Sequence, residues 1–442
     1  MQTSKSMHAS ECPPSSVERA LAVLAGGCDS PVRSAHSVDS PMFVQASAAG
    51  AYAYDETGRR YIDYVMAYGP LLFGHTHPAL VTGLDSLAKH GFVWGMTHTE
   101  EVRLGERIRA HLPSMQRLRF VTTGTEAMMS AVRVARAFTQ RQRILKFAGN
   151  YHGHFDLALI DAGASAGATA ASRGGIPEGV RGDVVVARYN DLASVDERLR
   201  GQERDLAAIV VEPIAANMGF VPPAEGFLEG LHERARSWGA LLIFDEVITW
   251  LRFGLPGAQG RLRVRPDLTA LGKIVGGGVP IAAFGGREEI MTTLAPSGVT
   301  FTGGTHGGNP FGVAMAHRVL DLLEAHPEYY DSMERLAERL AEGIRAIFRR
   351  LSLPYTVVQR ESIVDFKFRA GAGNRNFDDA LSADKAAYAS YYRGMLDRGI
   401  LLPPSQNEVM FLSTAHTAGD VDETLAAIAE TLDFLGSATV RR

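Results

Sequence analysis

From about residue 78 to 322 the chain alternates helical stretches with short apolar runs, and this alternation constrains the fold more than any other feature. The runs cover residues 118–121, 144–147, 183–187, 207–211 and 241–244. Strands that recur between helices predict a mainly parallel sheet with helices on both faces. Ligands of such sheets bind beyond the carboxyl ends of the strands. Glu212 and Asp245 fall there. From about residue 324 onward helices mix with strands near 362–368 and 409–413, which reads as a separate lobe. Residues 50–65 read as a hairpin with the polar turn Asp55-Glu56-Thr57-Gly58. Residues 17–25 read as a short helix that Ser16 caps and Gly26-Gly27 ends. The expected division is a disordered arm (1–16), an N-terminal segment joining a small domain (17–77), a large domain (78–322) and a C-terminal small domain (323–442).

Lys273 lies in the glycine-rich segment Leu271-Gly272-Lys273-Ile274-Val275-Gly276-Gly277-Gly278, and Asp245 closes an apolar run 28 positions upstream. A lysine among glycines and a carboxylate at the end of a buried strand are two parts of a pyridoxal phosphate site. The amine forms a Schiff base with the cofactor aldehyde, and the carboxylate keeps a proton on the pyridine nitrogen. Each residue alone is ordinary, since most lysines are solvated and most aspartates after strands serve turns.

Further motifs fall at strand ends in order. Thr122-Thr123-Gly124-Thr125-Glu126 joins a strand to a helix, a place where free backbone donors suit a phosphate. The same residues also suit an ordinary helix cap. Gly149-Asn150-Tyr151-His152-Gly153-His154 offers Tyr151 as a flat residue for one face of the pyridine. His152 and His154 lack the cysteine or carboxylate cluster that would complete a zinc site, so no metal is expected. Glu212 ends another strand with Asn217 close behind, and the loop from Thr302 to Pro310 is too glycine-rich for a core element.

The ordered segments Gly124-Thr125-Glu126-Ala127, Asn150 to His154, Val210 to Pro213, Phe244 to Val247, Leu271 to Gly278 and Gly307 to Pro310 resemble the class III aminotransferases of pyridoxal phosphate fold type I. Within that family the likeness is greatest to the glutamate-1-semialdehyde 2,1-aminomutases, through Ser30 to Arg33, Asn217 to Phe220, Gly226 to Leu231 and Pro404 to Glu408. The resemblance runs from about residue 20 to 435. It implies an α/β fold: a large domain with a mainly parallel sheet flanked by helices, and a smaller α+β domain built from the N- and C-terminal segments. It implies that Lys273 is catalytic, carrying the cofactor and shuttling protons. It further implies that Asp245 pairs with the pyridinium, Tyr151 stacks on the ring and Asn217 sits near the ring hydroxyl. Gly124 and Thr125 would bind the phosphate, with Thr305 reaching across from the second subunit of a homodimer with shared active sites. Ser30, Arg33, Tyr68 and Glu408 would face the substrate, Arg33 through its carboxylate.

Departures from the family pattern affect the substrate side. Met66-Ala67-Tyr68-Gly69-Pro70 puts a phenol where an indole is usual, Trp250 puts bulk where glycine is usual, and His306 is likewise a departure. The expected lid, residues 162–177, is rich in Ala and Gly. Two activities follow. One is an intramolecular amino shift, alternating pyridoxal and pyridoxamine phosphate, and the other is transfer from an external donor to a different amino or keto acid. A racemase or a regulator without turnover is a remoter reading, and no appended DNA-binding module is visible. The charge of −4 with no basic tract predicts a small-molecule substrate and no nucleic acid. Two cysteines, Cys12 and Cys28, with no signal sequence and no run of membrane length, predict a cytoplasmic protein without membrane contact.

Overall fold

The computed structural model describes residues 15–163 and 174–439. The expected arm therefore lies outside the described residues except for Ser15 and Ser16, and so does most of the expected lid. The first helix, Ser16–Val23, starts one residue before its expected start, because Ser15 rather than Ser16 accepts the Glu18 amide in a reciprocal capping box.

Seven strands form the central sheet, in the order Arg117–Val121, Ala282–Gly286, Leu268–Leu271, Leu241–Asp245, Leu206–Val211, Arg143–Phe147, Val184–Ala187. Ala282–Gly286 runs antiparallel to both its neighbours, and the other pairings are parallel. Leu206–Val211 is buried along its whole length, as a parallel strand covered on both faces must be. Ile209 and Val211 share a cluster with Phe227 and Leu231 of the helix Phe227–Trp238. Ala208 and Val210 share another with Ala127 and Met128 of the helix Gly124–Thr139 on the opposite face.

The termini of the chain meet outside this sheet. The hairpin Tyr52–Asp55 and Arg60–Asp63 turns where Asp55 Oδ1 accepts the amides of Thr57 and Arg59. Its second strand pairs in parallel with Ile400–Leu401. Ile62 and Tyr64 then share one core with residues of the helices Glu328–Arg350 and Lys385–Asp397 and of the strand Ile363–Ala370. The smaller lobe is thus built from both ends of the chain, as expected. Among the described residues no helix is long and apolar enough to cross a membrane.

Trp250, a departure whose effect on the substrate side the sequence leaves open, is fully buried with Leu72, Phe73, Leu271, Ile274 and Val275, and its indole donates to Leu255 O at 3.0 Å. The bulk that replaces a glycine here fills the core beneath the turn that carries Lys273. Trp250→Ala should cost about 3–5 kcal/mol of unfolding free energy in a denaturant titration, with pyridoxal phosphate affinity kept. Weaker cofactor binding at unchanged stability would contradict this placement.

Candidate active site

Five strand ends converge on one cavity of about 190 Å³ at the carboxyl edge of the sheet. Its lining includes Gly124, Thr125, Tyr151, Asn217, Asp245 and Lys273, together with Thr123, His152, Gly153, Glu212, Ile214, Val247 and Ile248. Of the residues expected to touch the cofactor, Thr305 alone is absent from this lining, and it is exposed on the turn after Gly304.

The chain has six lysines, which makes their placement informative. Lys5 lies outside the described residues, and Lys89 and Lys385 are exposed. Lys146 is buried and engaged, donating to Ala158 O at 2.5 Å and Ile160 O at 2.7 Å. Lys367 is buried and paired with Asp365 at 2.5 Å. Lys273 lines the cavity. It follows an extended Gly272 and has a left-handed φ of 51°, an unusual conformation for a side-chain-bearing residue. Its Nζ donates to Tyr68 O at 2.7 Å. Burial pulls the amine's pKa below the usual lysine value, while Glu408, Glu212 and Asp245 act in the opposite direction.

Asp245 Oδ2 lies 2.8 Å from His152 Nδ1, and its Oδ1 accepts the Val247 amide at 3.1 Å. Burial lowers the His152 pKa, with the Asp245 hydrogen bond opposing it. A neutral imidazole with its proton on Nδ1 suits this contact. The other ring nitrogen, Nε2, is buried without a hydrogen-bond partner among the described residues. His152 thus orients the carboxylate, a role that the sequence reading did not assign.

Glu212 works as a knot. Its Oε1 accepts the Tyr151 amide at 2.8 Å and the Asn217 side chain at 2.9 Å, and its Oε2 accepts the Ala216 amide at 2.9 Å. Burial pushes its pKa up to about 7, helped by the charge of Asp245. Two residues expected at the ring, Tyr151 and Asn217, are therefore fixed by one buried carboxyl group.

At the other end, the helix Gly124–Thr139 opens with a capping box in which Thr123 and Glu126 serve each other's backbone. The cap uses the amides of Thr122, Thr123 and Glu126, and leaves those of Gly124 and Thr125 without an acceptor among the described residues. Capping and anion binding are thus compatible here. The approach is kept open by small residues. A Cβ on Gly153 would stand 2.5 Å from Thr125 Oγ1, and one on Gly124 would stand 3.0 Å from Val247. A cradle of free amides, a buried carboxylate held by histidine and a lysine with a lowered pKa fit a phosphorylated pyridine aldehyde.

The expected substrate residues lie outside the cavity lining. Tyr68 is half-buried, and its phenol donates to Val32 O, tying it to the turn Pro31–Arg33. Arg33 is exposed, Ser30 is half-buried and His306 is exposed. Glu408 is 8% exposed. Burial pushes its pKa up to about 7, with Lys273 and Lys367 pulling the other way. Sequence reading also missed Arg252, Asp365 and Lys367. The signal for the last two was present, because opposite charges two positions apart in an apolar strand share one face.

Comparisons with known proteins agree with this geometry. The family model for aminotransferase class-III matches residues 33–430. The glutamate-1-semialdehyde 2,1-aminomutase 2 of Geobacillus kaustophilus is 43% identical over 411 residues, covering 93% of this chain and 95% of that protein. A solved transaminase with PLP bound has a TM-score of 0.85 at 29% identity, covering 96% of this chain and 97% of that one. A glutamate-1-semialdehyde-aminomutase variant from Pseudomonas aeruginosa, in complex with PMP, has a TM-score of 0.83 at 26% identity, covering 95% and 93%.

The raised pKa of Glu408 has a consequence for stability. The protonated form is favoured on folding, so this contribution is full below the ordinary glutamate value of 4.5 and is lost as pH rises through about 7. Glu408→Gln removes it. Relative to the parent protein, the variant should gain stability between pH 5 and 8, on the order of 3 kcal/mol at most. Urea titrations at the two pH values check this, and a constant difference between the proteins would contradict it.

Proposed function

Because the chain belongs to the class III aminotransferase family, we propose that it isomerises glutamate-1-semialdehyde to 5-aminolevulinate, with pyridoxal phosphate and pyridoxamine phosphate alternating at Lys273. The observation that carries this reading is the placement of Lys273. Among the lysines of the described residues it alone lines the cavity, together with Asp245 and the open amides of Gly124 and Thr125. Bound there, the cofactor supplies an aldehyde that takes up amines and a ring that accepts an electron pair from the substrate carbon.

The residues then divide the work. Asp245, oriented by His152, holds a proton at the pyridine nitrogen. The amides of Gly124 and Thr125 and the Thr125 hydroxyl hold the phosphate, and Tyr151 covers the ring. The amine of Lys273, with its pKa lowered by burial, moves a proton to and from the substrate carbon. Arg33 receives the substrate carboxylate, and Glu408 faces the substrate amine. The assembly in this reading is a cytoplasmic homodimer in which Thr305 of one subunit completes the phosphate site of the other. Phe92, Trp94, Met96 and Phe301 are large apolar side chains left exposed on the single chain, which supports a covering partner.

A second reading, transfer from an external amine to another keto acid, is favoured by Tyr68. Its phenol, in place of the usual indole, is anchored to Val32 on the segment that carries Arg33. Incubation with glutamate-1-semialdehyde and no keto acid separates the two. The proposal expects 5-aminolevulinate, whereas product formed only with an added amine and acceptor would establish the second reading. Lys273→Ala should abolish both turnover and the visible absorption of the protein with pyridoxal phosphate. Retained absorption with full turnover would defeat both readings.

A further inference from the structure

Two opposite charges are buried on one strand beside the site. In Ile363–Ala370, the side chains of Val364, Phe366 and Phe368 enter the core of the small lobe, while Ile363 packs the other way with Met66, Ile214 and Phe220. The two-residue period of a strand puts Asp365 and Lys367 on the face of Ile363. There Lys367 Nζ donates to Asp365 Oδ1 at 2.5 Å, and Asp365 Oδ2 accepts the Phe220 amide at 2.8 Å. The lysine stem lies so close to Gly219 (φ 76°) that a Cβ there would stand 2.4 Å from Lys367 Cε. The Gly219 amide in turn donates to Asn407 O at 2.7 Å. Lys367 and the segment leading into Glu408 therefore flank the same glycine. Burying two charges is costly, and an apolar pair of similar volume often stabilises a fold as well. Stability alone is a weak reason for this pair.

Glu408 lies within its field. The titratable groups electrostatically coupled to Glu408 are Lys273, Lys367 and the phenols of Tyr68, Tyr151 and Tyr388, with Asp365 acting on Tyr388 from beside Lys367. Of these, the two lysines are the cations. Lys273 is committed to the cofactor and to proton transfer, which leaves Lys367 as the lysine free to serve Glu408. We infer that Lys367 is a positioning residue for substrate recognition: tethered by Asp365 against Gly219, it offsets the burial that favours the acid form of Glu408 and so maintains at the pocket mouth a carboxylate that can receive a substrate ammonium group. This inference rests on the reading of Glu408 as facing the substrate amine. It extends that reading to two residues outside the cavity.

The test needs no substrate. The carbonyl stretch of protonated Glu408 is followed by infrared difference spectroscopy while the purified protein is titrated with base, and it is assigned by its loss in Glu408→Gln. Lys367→Met and Lys367→Gln should each move the midpoint to higher pH by roughly one unit, a tenfold change in proton affinity. Lys367→Arg should restore it. Val364→Ala, on the opposite face of the strand, should lower the melting temperature and leave the midpoint in place. An unchanged midpoint in folded Lys367→Met or Lys367→Gln would overturn the inference, as would an equal shift in Val364→Ala or a spectrum that Glu408→Gln does not alter. Failure to convert glutamate-1-semialdehyde would defeat the proposed function and leave this readout intact.

Discussion

The amine of Lys273 is half-buried at the edge of the mainly parallel sheet, and the rest of the site is arranged around it. Burial disfavours the ammonium form, whereas Glu408, Glu212 and Asp245 favour it. An amine whose pKa burial has lowered gives up its proton more readily than an ordinary lysine, as general acid–base chemistry requires. The backbone contributes too. The extended Gly272 and the left-handed Lys273 turn the chain after its strand into the short 3-10 helix Lys273–Gly276, at the strand ends that line the cavity.

Both lobes hold that arrangement in place. Arg252 is fully buried, and among the described residues none of its hydrogen bonds goes to a carboxylate. It donates to Gly69 O at 2.8 Å and Ser362 Oγ at 2.7 Å, and its guanidinium lies 4.7 Å from the centre of the Phe411 ring. Burial lowers its pKa to about 9. One residue of the large domain thereby fastens N-terminal and C-terminal segments together. The Gly69 end of this clamp matters most for the site. Met66, Ala67 and Tyr68 are three consecutive non-glycine residues with positive φ, and Tyr68 O accepts the Lys273 amine. Such a turn is disfavoured at every step and persists only where its surroundings fix it. The Asp63 carboxylate, which accepts the amides of Val65 and Met66, fixes the other end.

Much of this was legible in the sequence, for identifiable reasons. The strands 144–147 and 207–211 are found within a residue of their expected positions, because parallel strands covered on both faces read as continuous apolar runs, and 118–121 is found likewise although it is a half-buried edge strand with an antiparallel partner. Leu268–Leu271 and Ala282–Gly286 escaped notice, the first because it is only four residues long and the second because its alanines and glycines have low β-propensity. Six of the seven residues expected at the cofactor line the cavity, since each sits where a strand ends. The role of His152 was hidden because its partner Asp245 lies 93 positions away. The effect of Trp250 stayed open in the sequence because a family position reports chemistry only when its side chain points at the site, and here it points into the core.

The account stands or falls on which lysine carries the cofactor. Reduction of the protein with borohydride in the presence of pyridoxal phosphate, followed by digestion and peptide mass spectrometry, measures this directly. The account predicts one stable pyridoxyl group, on the peptide that contains Lys273. A label on Lys146 or Lys367, or spread over exposed lysines with Lys273 unmodified, would contradict it.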